Sequence, residues 1–352
     1  MADFTKRIHA FAKLGDFFRL YLRYRLGSSS PNGQTKRFKD FDEVIDKASH
    51  KNGWFTPDNI HYALDSWAQI LTKESLSEWL SPYTIEKMST KNVAIIMAGN
   101  IPLVGFHDLL AVLITGHKAI IKPSSNDVVL LPFILEVLQD FEPTFKERIE
   151  MFSGPLKGFD AVIATGSNNT SRYFEYYFGN KPHIIRKNRN SIAVLKGTET
   201  NTQLKALGED IFRYFGLGCR SVSKLFVPAG YDFTPFFKAI ESFEGLKNHH
   251  KYANNYDYNK AVYLMSKFPF LDNGFFALKE DKNYASPIGA VFYEYYGSLN
   301  EVSNTLNRDK EKLQCIVSEN FMPDEVHFGE TQRPKLSDYA DGVDTVEFLL
   351  KT

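Results

Sequence analysis

Only two cysteines occur in 352 residues, which excludes a disulfide framework as the source of stability. No run approaches the roughly 18 consecutive apolar residues of a membrane-spanning helix, and the opening MADFTKRIHAFAK lacks the continuous apolar core of a secretory signal. A net excess of either charge is missing too. The 42 basic and 42 acidic residues give a formal net charge of +0, whereas a nucleic-acid or anionic-membrane partner calls for a basic excess. No G-x-G-x-x-G follows the first strand-like run, GNIPLVG does not match it, and there is no P-loop. No repeat or low-complexity tract is present. These absences leave a cytoplasmic α/β chain, with no membrane span and no nucleic-acid partner expected. Its length suits two domains or one large domain with an appendage, and a hydrophobic fraction of 43% with 30 Phe and 18 Tyr can fill a sizeable core.

The first ninety residues read as a helical lead-in. A turn-rich piece, GSSSPNGQTKR, is followed by helix-like spacing in DEVIDKASHKNGWFTPDNIHYALDSWAQIL and LSEWLSPYTIEKM. From Lys91 the texture changes. NVAIIMAGN is a continuous apolar run closed by Gly-Asn, as a buried parallel strand would be. IPLVGFHDLLAVLITG then predicts a buried helix closed by Gly116, and HKAIIKPSS predicts a second strand stopped by Pro123. NDVVLLPFILEVLQDF predicts a helix capped by Asn126 or Asp127. IEMFSG and FDAVIATGS follow as strands, NNTSRYFEYYFG as a helix beginning just after Gly166-Ser167, and HIIRKNRNSIAVLKG as a strand pair. Strands alternating with helices of ten to fifteen residues predict a doubly wound parallel sheet.

A second unit is expected after Gly197. NTQLKALGEDIFRYFG places Leu204, Leu207, Ile211 and Phe215 on one helical face, with Gly216 as the cap. SKLFVP, SPIGAVFYEYY and QCIVSE read as strands and SLNEVSNTLN as a short helix. EGLKNHHKYANNYDYNK reads as a polar surface loop or a site rim. His249-His250 lies in it without Cys or carboxylate at ligand spacing, so no metal is expected.

Several residues could carry chemistry, each beside a plainer reading. Gly166-Ser167, ending a strand and opening a helix, offers N–H groups to an anion or is a turn. Lys122 ends a strand where a parallel sheet meets its ligand crevice, or is a solvated lysine. Asn100, one residue past its strand, forms an Asx turn or aims an amide into a site. Cys315, in the apolar LQCIVS, reads as structural. Cys219 differs, because in RYFGLGCRSVSKLFVP glycines on its N-terminal side let backbone and substrate approach closely.

Taken in series, GNIPLV, IIKPSS, ATGSNNT, NRNSIAVLKG, GLGCRS, SPIGAVF and HFGETQ resemble the aldehyde dehydrogenase superfamily, collinearly from Lys91 to about Gly329. RKNRNSIAVLKG and the tail LSDYADGVDTVEFLL are most similar to its LuxC-type acyl-CoA reductase branch. The resemblance implies a Rossmann-like parallel-sheet cofactor domain (91–197), an α/β catalytic cysteine domain (198–335) and a C-terminal tail (336–352). The helical lead-in (1–90) would pack on the cofactor domain. It implies that Cys219 is the nucleophile and Asn100 the amide that helps bind the oxyanion. Lys122 with Ser124 would occupy the ribose and phosphate strand end, and Gly166-Ser167 the pyrophosphate helix. The missing glycine fingerprint is then expected, since this superfamily binds its nicotinamide cofactor without it.

The departures from the pattern are chemical. Where hydrolytic members keep a glutamate base, IIRKNRNS has Arg186 and no carboxylate, and the arginine would favour a thiolate at Cys219. Where they keep a second glutamate on the nicotinamide ribose, SPIGAVF has Ser286. Where many keep a glutamate three positions after the strand-end lysine, this chain has Ser125, so NADPH is expected over NADH, with NAD also accepted. Without a water-activating base, an acyl-Cys219 thioester would be reduced to aldehyde rather than hydrolysed. The expected activity is NAD(P)H-dependent reduction of an acyl-CoA or other acyl thioester, in a chain able to form a homo-oligomer. The alternatives are a CoA-acylating aldehyde dehydrogenase running oxidatively and a non-reducing acyl-carrying protein.

Overall fold

The computed structural model describes residues 2–28, 33–85 and 89–352. The middle of GSSSPNGQTKR and the end of LSEWLSPYTIEKM therefore lie outside the described residues. The chain forms two compact units, one made of Met1–Lys187 with Lys335–Thr352 and the other of Asn188–Pro334.

The first unit opens with four helices, α1 (Ala2–Arg25), α2 (Thr35–Lys51), α3 (Pro57–Ile70) and α4 (Lys73–Leu80). Phe11, Leu14, Phe18 and Tyr21 recur every three or four residues along α1 and are all buried, the spacing that puts apolar residues on one helical face. Thr56 starts α3 by accepting the Asn59 N–H at 3.3 Å, with Pro57 at the first helical position. The sheet that follows contains β1 (Asn92–Ile96), β2 (Lys118–Lys122), β3 (Ile149–Met151), β4 (Ala161–Thr165) and β5 (His183–Arg186), with α5 (Phe106–Thr115), α6 (Leu130–Phe141) and α7 (Asn168–Phe178) between them. Its order is β3-β2-β1-β4-β5 and every pairing is parallel. This is the doubly wound sheet expected from the alternating pattern. On α5, Leu109, Leu110, Val112, Leu113 and Ile114 are all fully buried, as befits a helix apolar on every side. Each such side chain contributes roughly 1.5–3 kcal/mol of transfer free energy.

The second unit begins ten residues before the expected boundary. HIIRKNRNSIAVLKG does form two strands, but they belong to different sheets. β6 (Asn190–Val194) pairs with β7 (Val222–Pro228) and with β11 (Leu313–Val317), in a second sheet of six strands. Hydrogen bonding to these later strands takes residues 188–197 out of the first unit. The sheet is completed by β8 (Phe270–Asp272), β9 (Ala277–Glu280) and β10 (Ala290–Tyr296), and only the β8–β9 pairing is antiparallel.

Two elements of this unit differ from expectation. Helix α8 (Asn201–Phe212) buries Leu204, Leu207 and Ile211 but stops before Phe215. Tyr214 and Phe215 are left-handed, with φ of 55° and 60°, so no right-handed helix passes through them. The polar stretch read as a loop folds into a 3-10 segment and then α10 (His250–Met265), after the short α9 (Thr234–Ala239). The buried face of α10 is Tyr252, Tyr256 and Tyr263, a helical spacing that a reading of tyrosine as polar overlooks. Helix α11 (Leu299–Arg308) precedes β11.

The tail returns to the first unit through α12 (Thr345–Leu350), where Leu336, Val346 and Leu349 join the core. Trp79 donates its indole N–H to the Tyr339 hydroxyl at 2.8 Å, and Tyr83 donates to Asp344 at 2.6 Å.

Candidate active site

In the first unit, the register aligns Ile96 of β1 with Lys122 of β2 and with Ala164 of β4, and Thr165 with Arg186 of β5. The strands therefore end together at one carboxyl edge. The order reverses between β1 and β4, the position at which an open parallel sheet presents a ligand crevice. Six of the predicted site residues gather along this edge: Asn100 after β1, Lys122, Ser124 and Ser125 at the end of β2, and Gly166-Ser167 after β4. The seventh, Cys219, belongs to the second unit.

The edge is built by short-range chemistry. Ser167 accepts the Thr170 N–H at 3.2 Å and so caps α7. Ser124 accepts the Asn126 N–H at 3.2 Å. A Cβ placed on Gly99 would come within 2.5 Å of the Ser124 Cβ, so only glycine lets the end of β1 approach the Ser124 turn this closely. Lys122 is half-buried and has no ion-pair partner among the described residues, and Ser125 is exposed. An ammonium, serine hydroxyls and a capped helix N-terminus form a donor set suited to a phosphate-bearing ligand.

The expected cap of α6 at Asn126 or Asp127 is not formed, since Val129 takes the N-cap position without a side-chain hydrogen bond. The helix starts at Leu130, and the Asp127 carboxylate faces the N–H groups of Leu130 and Leu131. Burial pushes this carboxyl up to about 6, and its Oδ1 has no hydrogen-bond partner. Asp127 lines a small cleft with Met97, Ala98, Pro123 and Ser124. Ser124 and Ser125 do not cap α6.

Arg186 is placed differently from expectation. Its guanidinium is buried, ion-paired with Asp108 of α5, and donates to the Thr345 hydroxyl of α12 at 3.1 Å. It ties the sheet, a helix and the tail of the first unit together, and thiol activation is not assigned to it.

In the second unit, Cys219 lies in the turn between α8 and β7. The Ser221 N–H donates to the Gly218 carbonyl at 3.0 Å, closing the turn around it. Cys219 is exposed whereas Cys315 in β11 is buried. Just before the turn, Tyr214, Phe215 and Gly216 have φ of 55°, 60° and 76°. Non-glycine residues rarely hold this conformation, and the surroundings must over-determine it. Phe215 stacks on His249 with ring centroids 4.2 Å apart. His249 in turn accepts the Tyr252 N–H and caps α10, so it is part of a packed helix start and not of a solvated loop. Among the described residues no group of three or more His, Cys, Asp or Glu is placed to hold a metal.

Two further ties went unmarked in the sequence. The buried Ser191 hydroxyl donates to the Cys219 carbonyl at 2.9 Å and accepts the Cys315 N–H at 3.1 Å. Asp210 of α8 holds the segment at Gly329 and Thr331. Ser191 stands inside NRNSIAVLKG and Asp210 inside a helical run, but neither has a local signal, because their partners lie 28 to 124 positions away.

The Acyl-CoA reductase (LuxC) family pattern matches residues 39–242, more than half of the chain. The chain belongs to this family. This LuxC-type protein is an oxidoreductase acting on the aldehyde or oxo group, with acyl-CoA reductase or aldehyde dehydrogenase-type activity. None of the curated proteins matches it in sequence. Among solved structures it is similar to aldehyde dehydrogenase 21 from Physcomitrella patens, determined with its reaction product succinate. The identity there is 11% and the TM-score 0.67, over 99% of this chain and 84% of that one. It is also similar to the aldehyde dehydrogenase KauB from Pseudomonas aeruginosa, at 13% identity and TM-score 0.62 over 89% and 71% of the two chains. An aldehyde dehydrogenase from Bacillus cereus, determined as an NAD+ complex, matches at 14% identity and TM-score 0.59, again over 89% and 71%. At these identities the likeness establishes the fold, which is that of the aldehyde dehydrogenases. No described helix is long and apolar enough to cross a membrane.

Proposed function

We propose that this LuxC-family chain reduces an acyl thioester such as acyl-CoA to an aldehyde through a covalent acyl-Cys219 intermediate. The observation that carries the reading is the contrast between its two cysteines, one buried in a strand and the other exposed in a turn that follows a strained left-handed stretch. A cysteine used only for packing belongs in the first setting.

In this reading the Cys219 thiolate attacks the thioester carbonyl, the bond from that carbon to the CoA sulfur breaks, and the acyl group remains on Sγ. The thiol leaving group needs no strong acid. The Asn100 amide and the Cys219 backbone N–H supply hydrogen bonds to the developing oxyanion. Lys122, Ser124, Ser125, Gly166 and Ser167 hold a nicotinamide dinucleotide by its phosphates and adenosine ribose. That cofactor, when bound, supplies hydride to the acyl carbon. Breaking the carbon–Sγ bond then returns the Cys219 thiolate and frees the aldehyde. The absence of a glutamate at the position of Arg186 favours reduction over hydrolysis, because no base is supplied there to activate water.

Ser125 supports a preference for NADPH, since a hydroxyl donates to phosphate oxygens that a carboxylate would repel.

The test is peptide mass mapping after incubation with an acyl-CoA. The adduct is expected on Cys219, absent from Cys219→Ser, and discharged as aldehyde when NADPH is added. An adduct confined to Cys315 overturns the assignment. An adduct on Cys219 that NADPH never discharges identifies an acyl carrier rather than a reductase.

A further inference from the structure

We infer that Asp210 is a positioning residue for the Cys219 turn, anchoring the segment 329–332 that in turn holds the two residues after the cysteine. The inference deepens the assignment of Cys219 as nucleophile and rests on it.

Asp210 sits in the last turn of α8 with no exposed surface. It makes no ion pair with any described residue. Its carboxylate instead receives three donors from one stretch of chain: the Gly329 N–H at 2.6 Å, the Thr331 N–H at 3.0 Å and the Thr331 hydroxyl at 2.8 Å. A buried carboxylate without a cation is costly unless donors saturate it. The neighbouring charge is Glu330, of like sign, and burial with that neighbour pushes the Asp210 carboxyl up to about 6. A neutral side chain could fill this space at lower cost. What the charge supplies is a fixed orientation of three groups at once.

The segment passes that orientation on. The Thr331 carbonyl accepts from the Arg220 side chain, and Gln332 donates to the Ser221 hydroxyl at 3.4 Å. Arg220 and Ser221 follow Cys219 directly, and Thr331, Gln332 and Ser221 are all buried. The left-handed stretch 214–216 bounds the turn on its other side. The thiol therefore stands between a strained entry and an exit clasped through Asp210. A nucleophile needs such constraint, because misplacement by about 1 Å can cost roughly 10²-fold in rate.

The test uses the full chain carrying Asp210→Asn, which keeps the size and one acceptor but turns an amide donor toward donors. Hydrogen exchange of peptides covering 217–221 is expected to rise, and acylation of Cys219 by acyl-CoA to slow by about 10-fold or more. Alkylation by iodoacetamide, which needs no oriented approach, should change by less than about twofold. A core variant in a separate hydrophobic cluster of the same unit, Leu306→Ala on α11, serves as the control of comparable destabilisation, and neither readout should move in it. If Asp210→Asn lowers Tm but leaves exchange at 217–221 and acylation as in the control, the residue is merely structural and the inference falls. If the wild type is never acylated at Cys219 but exchange at 217–221 rises in Asp210→Asn, the clasp stands and the nucleophile assignment fails. Should Asp210→Asn not fold, Thr331→Val removes one of the three donors and should give a smaller effect of the same direction, which Thr331→Ser restores. Equal behaviour of the Val and Ser variants would overturn the inference.

Discussion

The Ser191 hydroxyl joins the two cysteine segments, donating to the Cys219 carbonyl at 2.9 Å and accepting the Cys315 N–H at 3.1 Å. One buried side chain on β6 thus links the Cys219 turn to the strand β11. Ser191→Ala leaves a buried donor and an acceptor without this partner. The expected loss is about 1–3 kcal/mol, the usual cost of stranding a buried polar group. Urea unfolding of the two proteins measures it, and a loss below about 0.5 kcal/mol would show that water or a small shift satisfies both groups.

Asn100 stands half-buried past the end of β1. If its amide binds the oxyanion, Asn100→Ala lowers kcat by about 10²-fold with little change in Tm. Steady-state kinetics beside a thermal melt decides the matter. Unchanged turnover would reduce Asn100 to a turn residue.

Ser125 is exposed and plays no part in capping α6. In the proposed reading, kcat/KM is higher with NADPH than with NADH, and Ser125→Glu moves the ratio toward NADH by placing a carboxylate against the 2′-phosphate. A wild type that already prefers NADH, or a glutamate variant with an unchanged ratio, would remove Ser125 from the cofactor assignment.

Asp127 makes stability depend on pH. Its carboxyl is raised by burial from 3.8 to about 6, so the folded state binds more protons than the unfolded state between these values. Its contribution is fully present below about pH 4 and is lost as pH rises through about 6. Each pKa unit corresponds to about 1.4 kcal/mol, which puts an upper bound of about 3 kcal/mol on the loss. Asp127→Asn, which still presents an oxygen to Leu130 and Leu131, should flatten the stability profile between about pH 4 and 6. A profile as steep as that of the wild type would assign the slope to other groups, with Asp210 the first candidate since its carboxyl is also raised to about 6.

Much of the architecture was legible because it rests on local rules. Continuous apolar runs such as Val93–Ile96 mark buried parallel strands, and their alternation with helices of known length dictates a doubly wound sheet. Ser167 announces the start of α7 by its capping chemistry. A glycine-opened cysteine is conspicuous in a chain with only two cysteines. Other features were decided only when distant residues met. The residues at 188–197 join the second sheet because β6 finds its hydrogen bonds in β7 and β11. The helix expected to reach Phe215 ends at Phe212, where stacking of Phe215 on His249 accompanies a left-handed backbone. Arg186, which by position alone faced a catalytic role, lies in a buried ion pair with Asp108. Ser191 and Asp210 hold the cysteine segments through partners 28 to 124 positions away. Periodicity and capping act over a few residues and can be read along the chain. A buried charge or hydroxyl takes its role from whichever donors and acceptors the completed fold brings within about 3 Å, and that only the tertiary structure decides.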